Sequence, residues 1–175
     1  IEGIHSRTNF DLTNHQTHSG KKMEYVDTVN QDRYIPYVVE TSGGVSRTFM
    51  AFLCNAYDEE KIIDEGKEET RVVLRFNPNL APITLAVFPL VNKDGMPEFA
   101  HKIYKDMQKY FRVQYDTSGA IGRRYRRQDE IGTPFCVTVD GQTLIDNTVT
   151  IRSRDSMLQD RIDVSQIRNY IQDRI

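Results

Sequence analysis

Three stretches of this 175-residue chain combine residue types that can do chemistry. The first is Glu40-Thr41-Ser42-Gly43-Gly44-Val45-Ser46-Arg47. It follows an apolar run and precedes a helical period, so it reads as a strand passing through glycines into a helix. Glycines let the backbone approach a flat base or a phosphate, and a helix start carries positive partial charge that an arginine reinforces. Glu40 and Ser42 at the strand end suit a small ammonium group. The plainer alternative is a strand-turn-helix with a capping serine and a solvated arginine, and spacing alone favours it.

The second stretch runs from Ser118 to Glu130 and places four arginines, Arg123, Arg124, Arg126 and Arg127, within five residues around Tyr125. Guanidinium groups pair with phosphates and an aromatic ring stacks on unpaired bases, so this composition suits an RNA loop. Asp129 and Glu130 supply acceptors for base amino groups. A charged helix whose arginines pair with neighbouring acids fits the same composition equally well. The third stretch, Thr148 to Asp155, reads as a strand with Arg152 and Arg154 on one face, because strand side chains alternate. Those two either extend the basic patch or form the wet face of an edge strand. His15 and His18 lie three apart with no third ligand in a recognisable spacing, so no metal site is expected.

These stretches need elements to hold them. Residues 1–46 show short apolar runs between polar clusters and read as strands joined by loops. From Arg47 to Tyr57, Phe49, Met50, Leu53, Ala56 and Tyr57 recur at helical spacing and predict one buried helix face. Residues 58–71, rich in Asp, Glu and Lys around Gly66, mark the boundary between two units. Beyond it, Thr84–Leu90 predicts a strand, Phe99 to Phe111 a helix, and 112–115 a strand. A basic helix then covers 123–130, with strands at 134–139 and 148–152. A last helix, capped by Asp163 with Gln166 in a capping box, carries Val164, Ile167, Ile171 and Ile175 on one face. Strands alternating with helices predict an α/β layer with a mostly parallel or mixed sheet.

The bulk numbers exclude several classes. Hydrophobic residues at 38% and charged residues at 27% describe a chain that folds, not a disordered tail. A net charge of -2 rules out indiscriminate nucleic-acid binding through overall positive charge, so RNA contact must come from a local patch. Cys54 and Cys136 have no CxxC spacing, which suggests neither a disulfide framework nor zinc and makes a reducing cytoplasm the default. No apolar stretch is long enough for a membrane span, and nothing resembles a signal peptide. The chain opens on Ile-Glu-Gly, as a piece of something longer would.

Together, these residues resemble the homodimeric, class II glycyl-tRNA synthetase family. Gly3-Ile4 through Arg7, Phe10-Asp11-Leu12, Tyr37-Val38-Val39-Glu40 and the glycine-arginine turn resemble the end of that family's catalytic core, with Arg47 at the arginine of motif 3. Leu80-Ala81-Pro82-Ile83, the run from Gly119 through Arg127, Asp129-Glu130-Ile131-Gly132 and Thr148-Val149-Thr150-Ile151-Arg152 resemble its anticodon-binding domain. The likeness covers essentially the whole chain, in order. Thr41, Gly44 and Ser46 depart from the family's more usual residues within the ATP turn.

The resemblance implies glycine activation by ATP and transfer to tRNA-Gly in protein biosynthesis, in a cytoplasmic homodimer with no membrane attachment. It implies a glycine pocket from Arg7, Glu40, Thr41, Ser42, Gly43 and Gly44, and ATP contacts from Ile1, Glu2, Gly44, Val45, Ser46 and Arg47, with Arg47 as catalytic residue. Arg123, Arg124, Arg127, Asp129, Glu130, Arg152 and Arg154 become candidates for the anticodon. ATP and Mg2+ enter as the substrate complex of the full-length enzyme, and no cofactor is expected on this piece, which alone should be inactive. The expected organisation is a remnant of an antiparallel catalytic sheet over residues 1–71 and an α/β anticodon-binding domain over 72–175. A non-catalytic, nucleic-acid-binding accessory paralogue is the alternative.

Overall fold

Leu85, Ala86, Val87 and Phe88 are all fully buried. A strand turns successive side chains to opposite faces, so this one must carry protein on both. It is an interior strand of a five-stranded sheet in a computed structural model that describes residues 1–64 and 66–175.

The elements in chain order are β1 (Glu2–Thr8), α1 (Phe10–Ser19), β2 (Tyr25–Val26), β3 (Arg33–Tyr34), β4 (Val38–Gly43), α2 (Val45–Ala56), β5 (Tyr57–Asp64) and β6 (Lys67–Leu74). Then follow β7 (Leu85–Pro89), α3 (Met96–Met107), β8 (Val113–Tyr115), α4 (Ile121–Ile131), β9 (Phe135–Val139), α5 (Thr143–Asp146), β10 (Thr148–Ser153), β11 (Gln159–Asp163) and α6 (Ile167–Gln172). Two compact units divide between Ala51 and Phe52, within α2.

In the second unit the sheet order is β11-β10-β9-β7-β8. Strand β7 runs parallel to β8 and β9, while β10 is antiparallel to both β9 and β11. The expected α/β fold with a mixed sheet and flanking helices is borne out. On one face Leu85, Val87, Phe135, Val137, Val149 and Ile151 pack with Met96, Ala100 and Ile103 of α3 and Ile167 and Ile171 of α6. On the other, Ala86, Phe88 and Cys136 meet Ile121 and Tyr125 of α4. The sheet has two edges. Strand β8 is three residues long, and β11 reads Gln-Asp-Arg-Ile-Asp. Asp163 caps the short turn before α6 by accepting from the Ser165 N–H at 2.8 Å.

The charged stretch 58–71 is not a linker between units. It lies in a hairpin of β5 and β6 registered from Tyr57 opposite Leu74 to Asp64 opposite Lys67, and it belongs with the second unit. The expected division after residue 71 is therefore displaced to residue 51 in the compact units. The cause is Arg71, whose fully buried side chain ties β6 to α4 and to the end of β10.

In the first unit β1 and β4 form an antiparallel pair, and β2 and β3 another. Helix α1 falls where strands and loops were expected. It has no buried residue, and Phe10 is 66% exposed, so no apolar stripe advertised it. Helix α2 lies where its spacing predicts, but its apolar face is open: Phe49 and Met50 are exposed, and only Ala56 is buried.

Both cysteines are free thiols, Cys54 exposed and Cys136 buried in the sheet. Burial pushes the Cys136 thiol well above its ordinary range, which removes the reactive thiolate. A maleimide reagent at neutral pH should therefore label one site in the folded chain and two in denaturant. Two fast labels in the native state would contradict the packing of Cys136.

Candidate functional site

The pairing of β1 with β4 gathers the positions read from the sequence as a glycine and ATP site. Gly3 lies opposite Ser42, His5 opposite Glu40, and Glu2 opposite Gly43. Arg7 holds Asp11 with Nε at 2.8 Å and the second fork nitrogen at 3.2 Å, and the same Nε lies 3.4 Å from Glu40 Oε2. The hydrogen bond from Arg7 draws the Asp11 carboxyl below its ordinary range, and the same bond raises Arg7. Gly44 donates its N–H to the Ile1 carbonyl at 3.4 Å, and its own carbonyl accepts from Thr48 at the start of α2. Arg47 extends from that first turn with its methylenes beside Gly44 and is exposed.

Thus Ile1, Glu2, Arg7, and Thr41 through Arg47 with Glu40 lie on or beside one antiparallel strand pair and one helix start. The open N–H groups of that start and the Arg47 cation suit a polyphosphate. Glu40, held beside Arg7, presents an anionic edge to a cation. A β-carbon on Gly3 would lie 2.6 Å from His5 Nε2 and 3.3 Å from Ser42 Oγ, so the glycine leaves room for both side chains.

The arginines of the second unit divide into two groups. Arg152 places its two fork nitrogens 2.9 and 3.1 Å from the Asp129 oxygens and lies over the Tyr125 ring at 4.9 Å. Arg154 donates to the Gly132 and Phe76 carbonyls and to Asp155. Arg124 donates to the Pro89 and Gly119 carbonyls, and burial pulls its pKa down. All three, with Asp129, are buried. The sequence reading had offered them to RNA, but their hydrogen-bonding capacity is committed inside the protein.

Arg127 is half-exposed and holds Asp116 at 2.5 Å. Burial alone would raise the Asp116 carboxyl, but the hydrogen bonds from Arg127 and the Ser118 N–H, with the charges of Arg127 and Arg124, together outweigh it and leave the carboxyl below its ordinary range. Arg123 and Glu130 are exposed, and Arg123 has no hydrogen bond or ion pair among the described residues. Arg123 opens on a cleft of about 750 Å³ that Tyr125, Arg126 and Arg152 also line.

Sequence reasoning missed Arg71. Its Nε donates to Asp129 Oδ2 at 2.8 Å, its fork to the Arg154 carbonyl at 2.6 Å and to Glu60. Burial opposes its charge, yet the bonds to Asp129 and Glu60 outweigh that and raise its pKa. A signal was present: in Thr70-Arg71-Val72-Val73-Leu74 the strand period puts Arg71 on the same inward face as buried Val73.

Comparison with known proteins follows the same division. Residues 84–174 match the family model described as an anticodon binding domain. The chain belongs to the anticodon-binding domain family. Similarity to curated relatives extends beyond that domain. The glycine–tRNA ligase of Treponema denticola is 54% identical over 177 residues, covering 100% of this chain and 39% of that protein. The corresponding ligase of Chlorobaculum tepidum is 53% identical over 98% of this chain and 36% of its own length. That of Caldanaerobacter subterraneus is 54% identical, over 99% and 36%. The chain thus spans less than two-fifths of the length of these relatives, and the likeness to glycyl-tRNA synthetase read from its motifs is borne out. In the anticodon-binding family region, Arg123 is exposed at the mouth of its cleft. Among the described residues, no helix is long and apolar enough to cross a membrane.

Proposed function

We propose that this chain is the carboxy-terminal part of a glycine–tRNA ligase, in which the second unit reads the anticodon of tRNA-Gly and the first supplies one side of the glycine and ATP pocket. The observation that carries this reading is identity above 50% to glycine–tRNA ligases across essentially the whole chain, including the hairpin and turn outside the anticodon-binding match. Three relatives of that name disfavour a non-catalytic accessory subunit. We assign residues 1–71 to the catalytic core in ancestry and the remainder to the anticodon domain, although the hairpin packs with the latter.

In the whole enzyme, the glycine carboxylate attacks the α-phosphate of ATP, forming glycyl-adenylate and releasing pyrophosphate, and the tRNA 3′ end then takes the glycyl group. Neither step needs a side-chain nucleophile, so the protein contributes position and charge. Glu40 and Ser42 hold the ammonium group while Arg7 steadies Glu40. Thr41, Gly43 and Gly44 keep the pocket small, which excludes larger amino acids. Gly44 through Arg47, with Ile1 and Glu2, lie along ATP, where Arg47 neutralises phosphate charge. Magnesium accompanies ATP and adds to that neutralisation. Dimerisation and a cytoplasmic location belong to the same reading.

The anticodon interface centres on Arg123, with Arg126, Arg127 and Glu130 at its margin. Arg124, Asp129, Arg152 and Arg154 support it from inside. The test is fluorescence-detected binding of the chain to a tRNA-Gly anticodon stem-loop, against loops with substituted anticodon bases at fixed salt. A preference for the native loop is expected. Arg123→Ala should weaken all loops about three- to tenfold and reduce the slope of log affinity against log salt by about one. Equal binding of every loop by the wild-type chain would overturn the assignment of the reader.

A further inference from the structure

The anticodon-binding match begins at Thr84, yet one wall of the cleft beside Arg123 is made by residues before it. Ile62, Ile63 and Glu69 of the β5–β6 hairpin line that wall, and Ile62 and Glu69 are direct cross-strand partners. Tyr125, Arg152, Arg123 and Gln159 line the same cleft. The hairpin is fixed relative to these groups. Asp129 accepts from Arg71 of the hairpin and from Arg152 of the cleft, so wall and floor share one buried anchor. Arg75, just past β6, adds bonds to Asp58, Glu60 and Asp155.

We infer that this hairpin completes the RNA site and that Glu69 reads the exocyclic amino group of an anticodon cytosine. The inference rests on the reading of the second unit as an anticodon reader and adds an element outside the matched region.

The chemistry of the lining supports it. Apolar Ile62 suits the flat face of an unstacked base, and the Arg152 guanidinium plane, itself seated over the Tyr125 ring, suits the other. Among the described lining residues Glu69 is the one acid, in a lining that also holds Arg123, Arg126 and Arg152. It is exposed and has no hydrogen bond or ion pair among the described residues, and the same holds for the Gln159 side chain. A carboxylate beside a phosphate-binding surface weakens indiscriminate RNA binding. It gains only from a partner that presents N–H donors.

Glycine codons begin with two guanines, so the matching anticodon carries two adjacent cytosines. Cytosine offers its N4 amino group as a donor, which a carboxylate accepts. Uracil places a carbonyl oxygen at the same position, and Glu69 would repel it. The Gln159 amide can donate to the acceptor atoms on the rest of the cytosine edge, while Arg123 meets the phosphates.

The test uses the whole 175-residue chain, the tRNA-Gly anticodon stem-loop, and two loops in which one or the other cytosine is replaced by uridine. Wild-type protein should prefer the native loop over one uridine loop by about tenfold or more. Glu69→Ala should bring that preference to within about twofold without weakening the uridine loop, and Glu69→Gln should also narrow it because an amide can donate to the uracil oxygen. Arg123→Ala should weaken native and uridine loops alike. Glu69 is exposed, so both variants should keep the wild-type thermal midpoint. A wild-type preference that survives in Glu69→Ala overturns the role of Glu69 and leaves the anticodon reading standing. Absence of any cytosine preference in the wild-type chain overturns both.

Discussion

Replacing Asp129 by alanine is expected to remove about 3–5 kcal/mol from the stability of the second unit, measured by urea unfolding. Two guanidinium groups, those of Arg71 and Arg152, lose their shared carboxylate while remaining buried. An isolated charge that cannot reach water costs several kcal/mol, whereas the intact pair contributes much less, because its attraction offsets desolvation. The asymmetry gives a sharper check. Arg71→Met leaves Asp129 still paired with Arg152, so it should cost less than Asp129→Ala. The double variant should cost less than the sum of the two, since both changes break the same Arg71–Asp129 bond and the sum counts it twice. Additive losses, or a loss below about 1 kcal/mol for Asp129→Ala, would mean that water reaches this network.

The second large effect belongs to Gly132, which ends α4. Its φ is +87°, a left-handed conformation that costs a residue with a β-carbon about 1–2 kcal/mol. An added β-carbon would also lie 2.7 Å from a Phe76 ring carbon and 2.8 Å from the Leu74 carbonyl oxygen. The carbonyl belongs to the backbone and cannot turn aside. Strain and overpacking together should cost Gly132→Ala about 2–4 kcal/mol, seen as a fall of roughly 10 °C in the thermal midpoint. Gly119 provides the control. It has φ +76° but open space around it, so Gly119→Ala should cost the conformational part alone, about 1 kcal/mol. Equal losses at the two positions would show that conformation alone, without crowding, sets the cost.

The second unit was legible where burial follows periodicity. Strand β7 lies one residue inside its expected span, and α4, β9 and β10 come within two residues of theirs, because Leu85 to Phe88 and Phe135 to Val139 write their burial directly. Elements with little apolar surface were not legible. Helix α1 buries nothing, and β11 is a polar edge. The hairpin spells charges because much of its anchoring comes from arginine bonds to residues 58 or more positions away, those of Arg71 to Asp129 and the Arg154 carbonyl and, just past β6, that of Arg75 to Asp155. The candidate site shows the same limit. Sequence can count the arginines of 123–127, but Arg124 is turned inward by the carbonyls of Gly119 and Pro89, and Arg123 stays outside. Only the tertiary arrangement sorts structural cations from available ones.

The two edges of the five-stranded sheet bear on how crowded copies of this chain behave. An exposed edge offers unpaired N–H and C=O groups to any passing strand, the first step of fibril growth. Here one end, β8, has only three residues to offer. At the other, Asp160, Arg161 and Asp163 put alternating charges along β11, and Arg161 folds back onto Asp140 and Thr148. A strand docking there would have to bury those charges. The chain can therefore keep a β-rich core at high concentration without recruiting its neighbours into a continuous sheet.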